Sequence, residues 1–347
     1  MSSNQSEGLA RKPISLALQG GGSHGAYTWG VLDRLLEDGR VDIGAVTATS
    51  AGAMNAVAFA YGLTIGGPEG AREKLEAFWS AVAHKGRPFN MLRNLPFGSG
   101  PFSIQSFFGA LTQVASPYDL NPLNFNPLRE VLEETIDFER LNTCQETRLF
   151  VSATNVSTGK IRVFKTDEID IDTVLASACL PQVFKAVEIE DQPFWDGGYV
   201  GNPALFPLYY DDTPGDILIV HINPMIRHGA PKSADAILDR LNEITFNSSL
   251  NSELRALAFV QRLLDDGALS DDMRRRYRRL YVHAIRADRA LSDLDVDTKL
   301  DTTWRFLTDL KQRGRDAADR WLVKHFDSVG ERSSIDIRAE FLDPESA

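Results

Sequence analysis

At 347 residues, with 43% hydrophobic residues and a formal net charge of −11, the chain suits one large α/β domain with an appendage and can bury a substantial core. The acidic balance excludes nucleic acid as the main partner, because neutralising phosphates needs a basic face. Cys144 and Cys179 stand far apart and read as buried thiols of a reducing compartment. Neither they nor the six histidines show metal-ligand spacing, so no metal and no cofactor is expected.

Residues 1–12 are polar, lack the apolar core of a signal peptide and are expected to be a disordered tail. Ile14 to Gln19 reads as a first, central strand. It runs into Gly20-Gly21-Gly22-Ser23-His24-Gly25, followed by an amphipathic helix from Ala26 to Glu37. Three consecutive glycines open backbone angles closed to other residues and turn N–H groups towards an anion. Next, the apolar run Ala45-Val46-Thr47-Ala48-Thr49 leads into Ser50, and Ala51 to Ala60 reads as a helix with little bulk. Only small residues, Ala48 and Gly52, stand two positions either side of Ser50. A sharp strand-to-helix turn that lifts a hydroxyl clear of a sheet requires this, since larger side chains would strike the neighbouring backbone. Ser50 therefore reads as a nucleophile at a helix N-terminus; the competing reading is an ordinary serine cap.

Strand, glycine loop, helix and second strand make a right-handed βαβ unit. Loop and serine then converge at the carboxyl ends of adjacent strands, which is the equipment for acyl transfer. The same glycines fit the dinucleotide pattern G-x-G-x-x-G, but that reading wants an acidic residue where this chain has Thr49-Ser50-Ala51-Gly52. The uncharged run from Ile43 to Pro68 is long enough to cross a bilayer, yet its Ser, Asn, Thr and Gly residues suit a buried strand-turn-helix. A cytoplasmic protein with peripheral contact to a lipid surface is expected.

Gly70 to Ala83 reads as a helix carrying Phe78 and Trp79. Residues 86–126 are rich in Pro, Phe, Asn and Gly with little regular pattern, and are expected to form a lid. Within it Phe97, Phe102, Phe107 and Phe108 are candidates for an acyl-chain pocket, unless they simply pack onto the main core. A helix follows at Pro127 to Ile136, a buried strand at Arg148 to Asn155, a hairpin arm at Lys160 to Lys165 and a short helix at Thr173 to Ser177. Phe194-Trp195-Asp196-Gly197-Gly198 puts a carboxylate at a strand end before a tight turn, although Asp-Gly is also an ordinary turn pair.

Together these segments resemble the patatin-like phospholipase family. The likeness rests on Gly20 to Gly25, on Ala48-Thr49-Ser50-Ala51-Gly52, on Ser177-Ala178-Cys179-Leu180-Pro181-Gln182-Val183-Phe184 and on Asp196-Gly197-Gly198, in that order. It implies a three-layer α/β/α fold with a mostly parallel central sheet, the catalytic domain spanning 13–225. It also implies a Ser-Asp dyad, with Ser50 as nucleophile, Asp196 as base and an oxyanion hole from Gly20, Gly21, Gly22 and Ser23. Ala48, Gly52, Gly197 and Gly198 would support the elbow and turn. The activity implied is hydrolysis of acyl esters, above all of lipids, without cofactor. A polyester or small-ester hydrolase is the alternative, as is a non-catalytic lipid- or protein-binding module that retains the fold. The family commonly has Lys or Arg where His24 stands and Gly where Ala48 stands.

A triad competes with the dyad. His221 ends the strand Ile217 to Val220 and follows Asp196 in the chain order of α/β-hydrolases. Because a free Asp titrates at about 4, the dyad predicts a pH-rate profile without a histidine limb at about 6 to 7.

After Pro224 the composition is more charged. Ser233 to Asp265 reads as a long helix, Leu280 to Ile285 as a strand, and Thr302 to Gln312 and Asp316 to His325 as two helices. Residues 226–330 are expected as a mainly helical extension docked on the catalytic domain, and 331–347 as a polar tail. Arg274-Arg275-Arg276-Tyr277-Arg278-Arg279 reads as a solvated helix face offset by Asp265, Asp266, Asp271 and Asp272, the alternative being a site for anionic head groups.

Overall fold

The computed structural model describes residues 11–87 and 116–343, apart from 211, 228 and 295. Most of the expected lid, and all of Phe97, Phe102, Phe107 and Phe108, lie outside the described residues.

The strands are β1 Lys12–Leu18, β2 Val41–Ala48, β3 Arg148–Asn155, β4 Ile161–Lys165, β5 Val187–Ile189, β6 Gln192–Asp196, β7 Asp216–His221 and β8 Tyr281–Arg286. Among the described residues they form one sheet ordered β5-β6-β3-β2-β1-β7-β8, with β4 also on β3. The run β3-β2-β1-β7-β8 is parallel, and β4, β5 and β6 are antiparallel to their partners. Central strands are apolar on both faces, as a parallel sheet covered on both sides requires. In β1, Leu16 and Leu18 enter one core and Ala17 the other; in β7, Leu218 and Val220 oppose Ile217 and Ile219.

Helices α1 Gly25–Asp38, α2 Ala51–Lys85, α3 Pro127–Thr135 and α4 Ile171–Ser177 cover the first face, and α5 Ala234–Asp265 the second. Leu250, Leu254 and Leu257 of α5 recur at helical spacing and are buried on that second face. α2 leaves helical geometry at Gly66 and Gly67, just before Pro68, so the helix read at 70–83 is its second arm.

The C-terminal third is mainly helical, as read, and is built into this architecture. β8 adds in parallel to β7, register Ile217 to Val282, and completes the sheet. The two helices expected at 302–312 and 316–325 are one, α6 Trp304–His325, which lies in the first layer. Gly314, in the expected gap, is a contact point: a Cβ there would run into the carbonyl of Tyr27, and one on Gly30 into that of Lys311. α1 and α6 thus touch backbone to backbone, which only glycine permits. Asp33 of α1 is 2% exposed and takes Arg72 of α2 at 3.0 Å as well as Arg315 of α6. Nor is the segment after residue 330 simply a polar tail, since Ile337 and Phe341 are buried in the second core. Apolar side chains spaced among charged ones gave little local sign of either outcome.

Candidate active site

β3 assembles the site by sharing one of its edges between two partners. One edge pairs with β4 from Phe150 to Thr154. The other pairs with β2 as far as Val151, opposite Ala48, and then with β6 from Ala153, opposite Asp196. β2 leaves the sheet at Ala48, and the strand that takes its place runs the other way and ends in Asp196. Ser50 follows Ala48 by two residues. Register therefore brings the ends of β2 and β6 together across 146 positions of sequence (196 minus 50).

Ser50 sits at the N-terminus of α2 with φ 56° and ψ −124°, a left-handed backbone for a residue with a side chain. Such a conformation costs roughly 1–3 kcal/mol and persists only when its surroundings enforce it. They do so here: the Ser50 amide donates to Ser177 Oγ at 2.9 Å, and Ser177 lies on α4. Small neighbours are required as well. A Cβ on Gly52 would strike the Leu18 carbonyl, one on Gly25 would lie 2.7 Å from the Ala51 Cβ, and Ala48 is fully buried.

Asp196 is fully buried. Its amide donates to the Cys179 carbonyl at 2.8 Å, and its own carbonyl accepts from Thr154 Oγ1 at 2.7 Å. Oδ1 accepts the Gly198 amide at 2.7 Å, whereas Oδ2 is buried without a hydrogen-bond partner among the described residues. Gly197 and Gly198 have no room for a side chain: a Cβ would meet the Ser152 carbonyl at the first and Asp196 Oδ1, at 3.0 Å, at the second. Burial pushes the carboxyl up to about 7; the Gly198 amide and then the Ser50 hydroxyl pull it partly back. The hydroxyl is near enough to bias this titration, yet no hydrogen bond joins it to the carboxylate in the resting protein. Bonds of this kind commonly tighten only when substrate is present.

The glycine loop presses on the serine. A Cβ on Gly20 would lie 2.6 Å from that of Ser50. The Gly20 peptide is clamped from both sides: its amide donates to Asn202 Oδ1 at 2.7 Å, and its carbonyl accepts from Asn223 Nδ2 at 2.6 Å. Of the four expected oxyanion donors, Gly20 has thus already committed its amide. No hydrogen bond among the described residues engages the amides of Gly21, Gly22 or Ser23. Gly22 has φ 60° and opens a short turn, Gly22–His24, that leads into α1.

The two histidines weighed from the sequence stand elsewhere. His221 is fully buried, burial pushes it down to about 4, and the charges it senses are Asp288 and Arg286. Its ring packs edge-on against Phe341, with centroids 5.5 Å apart. Nothing in that environment couples it to Asp196 or Ser50. His24 is buried beside the glycine loop and its Nε2 bonds Thr298 Oγ1 at 2.7 Å. Burial, then Lys299 and Arg227, push it down to about 3, so it is neutral.

Sequence reasoning missed Asn202 and Asn223, and used Ser177 only as part of a motif. For Asn223 the available signal was an asparagine two residues past the apolar strand β7, at the carboxyl end of a parallel sheet, where ligand sites form. In the arginine cluster, Arg278 donates to the carbonyls of Leu208 and Thr213 and so ties the segment to the fold, while Arg279 pairs with Asp265 at the surface. Among the described residues no helix is long and apolar enough to cross a membrane.

A family model described as patatin-like phospholipase matches residues 16–209. None of the curated proteins compared matches significantly. Among solved structures, VipD from Legionella pneumophila is 14% identical over 96% of this chain and 73% of its own, with a TM-score of 0.45. The type III effector ExoU is 16% identical over 91% of this chain and 54% of its own, with a TM-score of 0.34. ExoU in its heterodimeric complex with SpcU, from the type III secretion system of Pseudomonas aeruginosa, is 15% identical over 90% and 53%, TM-score 0.34. The chain spans about half the length of the ExoU chains it matches.

Proposed function

Since the chain belongs to the patatin-like phospholipase family, whose members are lipid acyl hydrolases, we propose that it is a serine-dependent acyl-ester hydrolase working through Ser50 and Asp196. The observation that supports this reading most is the shared edge of β3, which sets a strained serine beside a buried carboxylate with an unpartnered oxygen.

In the proposed sequence, Ser50 Oγ attacks the ester carbonyl carbon while Asp196 Oδ2 takes its proton. The oxyanion that forms is received by the amides of the glycine loop, with Gly21 and Gly22 in the leading role. Preorganised donors of this type are worth roughly 10²–10³ each in rate. The alcohol then leaves with the proton from Asp196, giving an acyl ester on Ser50. Water attacks that ester with Asp196 again as base, releasing the fatty acid and restoring the serine. An aspartate at its ordinary value would be a weak base; one titrating at about 7 is matched to neutral pH. The glycine-lined elbow and the strained backbone at Ser50 hold the hydroxyl at the carboxyl ends of the strands, leaving its hydrogen bond to Asp196 to tighten when substrate binds.

Lipids, met by peripheral contact with a lipid surface, are the proposed substrates. The test is hydrolysis of p-nitrophenyl esters from two to sixteen carbons by the wild type, Ser50→Ala and Asp196→Asn. The reading predicts a long-chain optimum and losses of roughly 10³-fold or more in both folded variants. An optimum at two carbons would overturn the lipid assignment, and an active Ser50→Ala the whole mechanism.

A further inference from the structure

Lys299 lies between β8 and α6, outside the residues matched by the family model, yet it reaches the glycine loop. Its Nζ donates to Asn223 Oδ1 at 2.9 Å. Asn223, fully buried, donates from Nδ2 to the Gly20 carbonyl at 2.6 Å, and its own amide is fixed on Gln19 Oε1 at 2.9 Å. The Gly20 carbonyl and the Gly21 N–H belong to one peptide unit. A continuous chain of donors therefore runs from the ammonium through the Asn223 amide to the Gly20–Gly21 peptide, whose N–H has no hydrogen-bond partner among the described residues. The backbone joins in: a Cβ on Gly22 would come within 2.6 Å of the Lys299 carbonyl, and Thr298 bonds His24.

We propose that Lys299 is a positioning residue for the oxyanion loop, holding and polarising the Gly20–Gly21 peptide through Asn223 so that the Gly21 N–H becomes a stronger, fixed donor. Drawing electron density towards the carbonyl oxygen makes the amide hydrogen of the same unit more positive. Chained hydrogen bonds reinforce each other by about 10–30% per bond inside a protein. Among the described residues no other cation engages this peptide. His24 is neutral, and Arg227 is turned to Glu243 at 3.0 Å. Because negative charge on the substrate oxygen develops only in the transition state, the benefit falls on kcat and not on KM.

The inference rests on the acyl-hydrolase reading, and the experiment separates the two. Lys299→Met and Lys299→Arg are compared with wild type for ester hydrolysis, for the rate at which a fluorophosphonate labels Ser50, and for melting temperature. Lys299→Met is expected to lower kcat and the labelling rate roughly 10- to 100-fold, as loss of an outer-shell partner does, with KM and melting temperature unchanged. Lys299→Arg is expected to recover most of the loss. A Lys299→Met enzyme with wild-type kcat and labelling overturns the inference while leaving the hydrolase reading intact. So does a loss shared equally by Lys299→Arg with a lowered melting temperature, or a raised KM at unchanged kcat, which would make Lys299 a substrate contact. A wild type that neither labels nor hydrolyses overturns the hydrolase reading and this inference with it.

Discussion

Replacing Asp196 with Asn separates the cost of a buried base from its use. Asp196 has no exposed surface, and burial raises its carboxyl from 3.8 to about 7. Between those two values the folded protein keeps a proton that the unfolded chain releases. The stability this provides is complete below the unfolded value and is lost as pH rises through the folded one. At ~1.4 kcal/mol per pH unit, the rise from 3.8 to about 7 is worth about 4 kcal/mol in all, of which more than half disappears between pH 5 and pH 8. Asn has the same shape, can still accept the Gly198 amide and never ionises. Urea denaturation of both proteins at pH 5 and pH 8 isolates the term, since every other titrating group cancels in the comparison. Asp196→Asn should gain on wild type by about 2–3 kcal/mol over that interval while losing its activity. A stability gap that stays constant from pH 5 to pH 8 would refute the reasoning, because Asp196 would then be ionised throughout.

The same carboxyl sets the rate profile: kcat/KM should rise about tenfold per pH unit below about 7 and level off above it, and His221→Ala should keep that limb. A limb abolished by His221→Ala would restore the triad. Ser177→Ala removes the acceptor of the Ser50 amide and should cost about 1–3 kcal/mol of stability, read by denaturation, together with slower labelling of Ser50; an unchanged variant would show that the elbow is held otherwise. Gly20→Ala puts a methyl 2.6 Å from the Ser50 Cβ and should abolish hydrolysis in a folded protein, so full activity there would contradict the geometry described.

Much of the site was legible because its determinants are local. Gly52, Gly197 and Gly198 announce close backbone approach through the absence of side chains, each being where a Cβ finds no space, and Ala48 announces it through a side chain no larger than a fully buried methyl. The strands from β1 to β3 and β7 were legible as apolar runs buried on both faces. What was illegible depends on register or on distant partners. Nothing near Asp196 in sequence says that β6 inherits the edge β2 abandons, nor that burial lifts its carboxyl to about 7. With that carboxyl raised to about 7, Asp196 itself would titrate in the range where a histidine limb was not expected, so the position of a limb alone does not mark a histidine. Gly314 illustrates the converse error, since a glycine where a helix break was read is instead what lets α6 lie on α1. Lys299, Asn223 and Asn202 meet the glycine loop from 182 or more residues away, and single side chains carry no local sign of such contacts.

The central claim is that Ser50 is an activated nucleophile, and covalent capture tests it most directly. Wild type, Ser50→Ala and Asp196→Asn are incubated with a fluorophosphonate and weighed intact by mass spectrometry, with the adduct mapped by peptide. The account predicts a single phosphonyl group on Ser50 of the wild type, none on Ser50→Ala and a much slower reaction in Asp196→Asn. An unmodified wild type, or an adduct that survives Ser50→Ala, would contradict it.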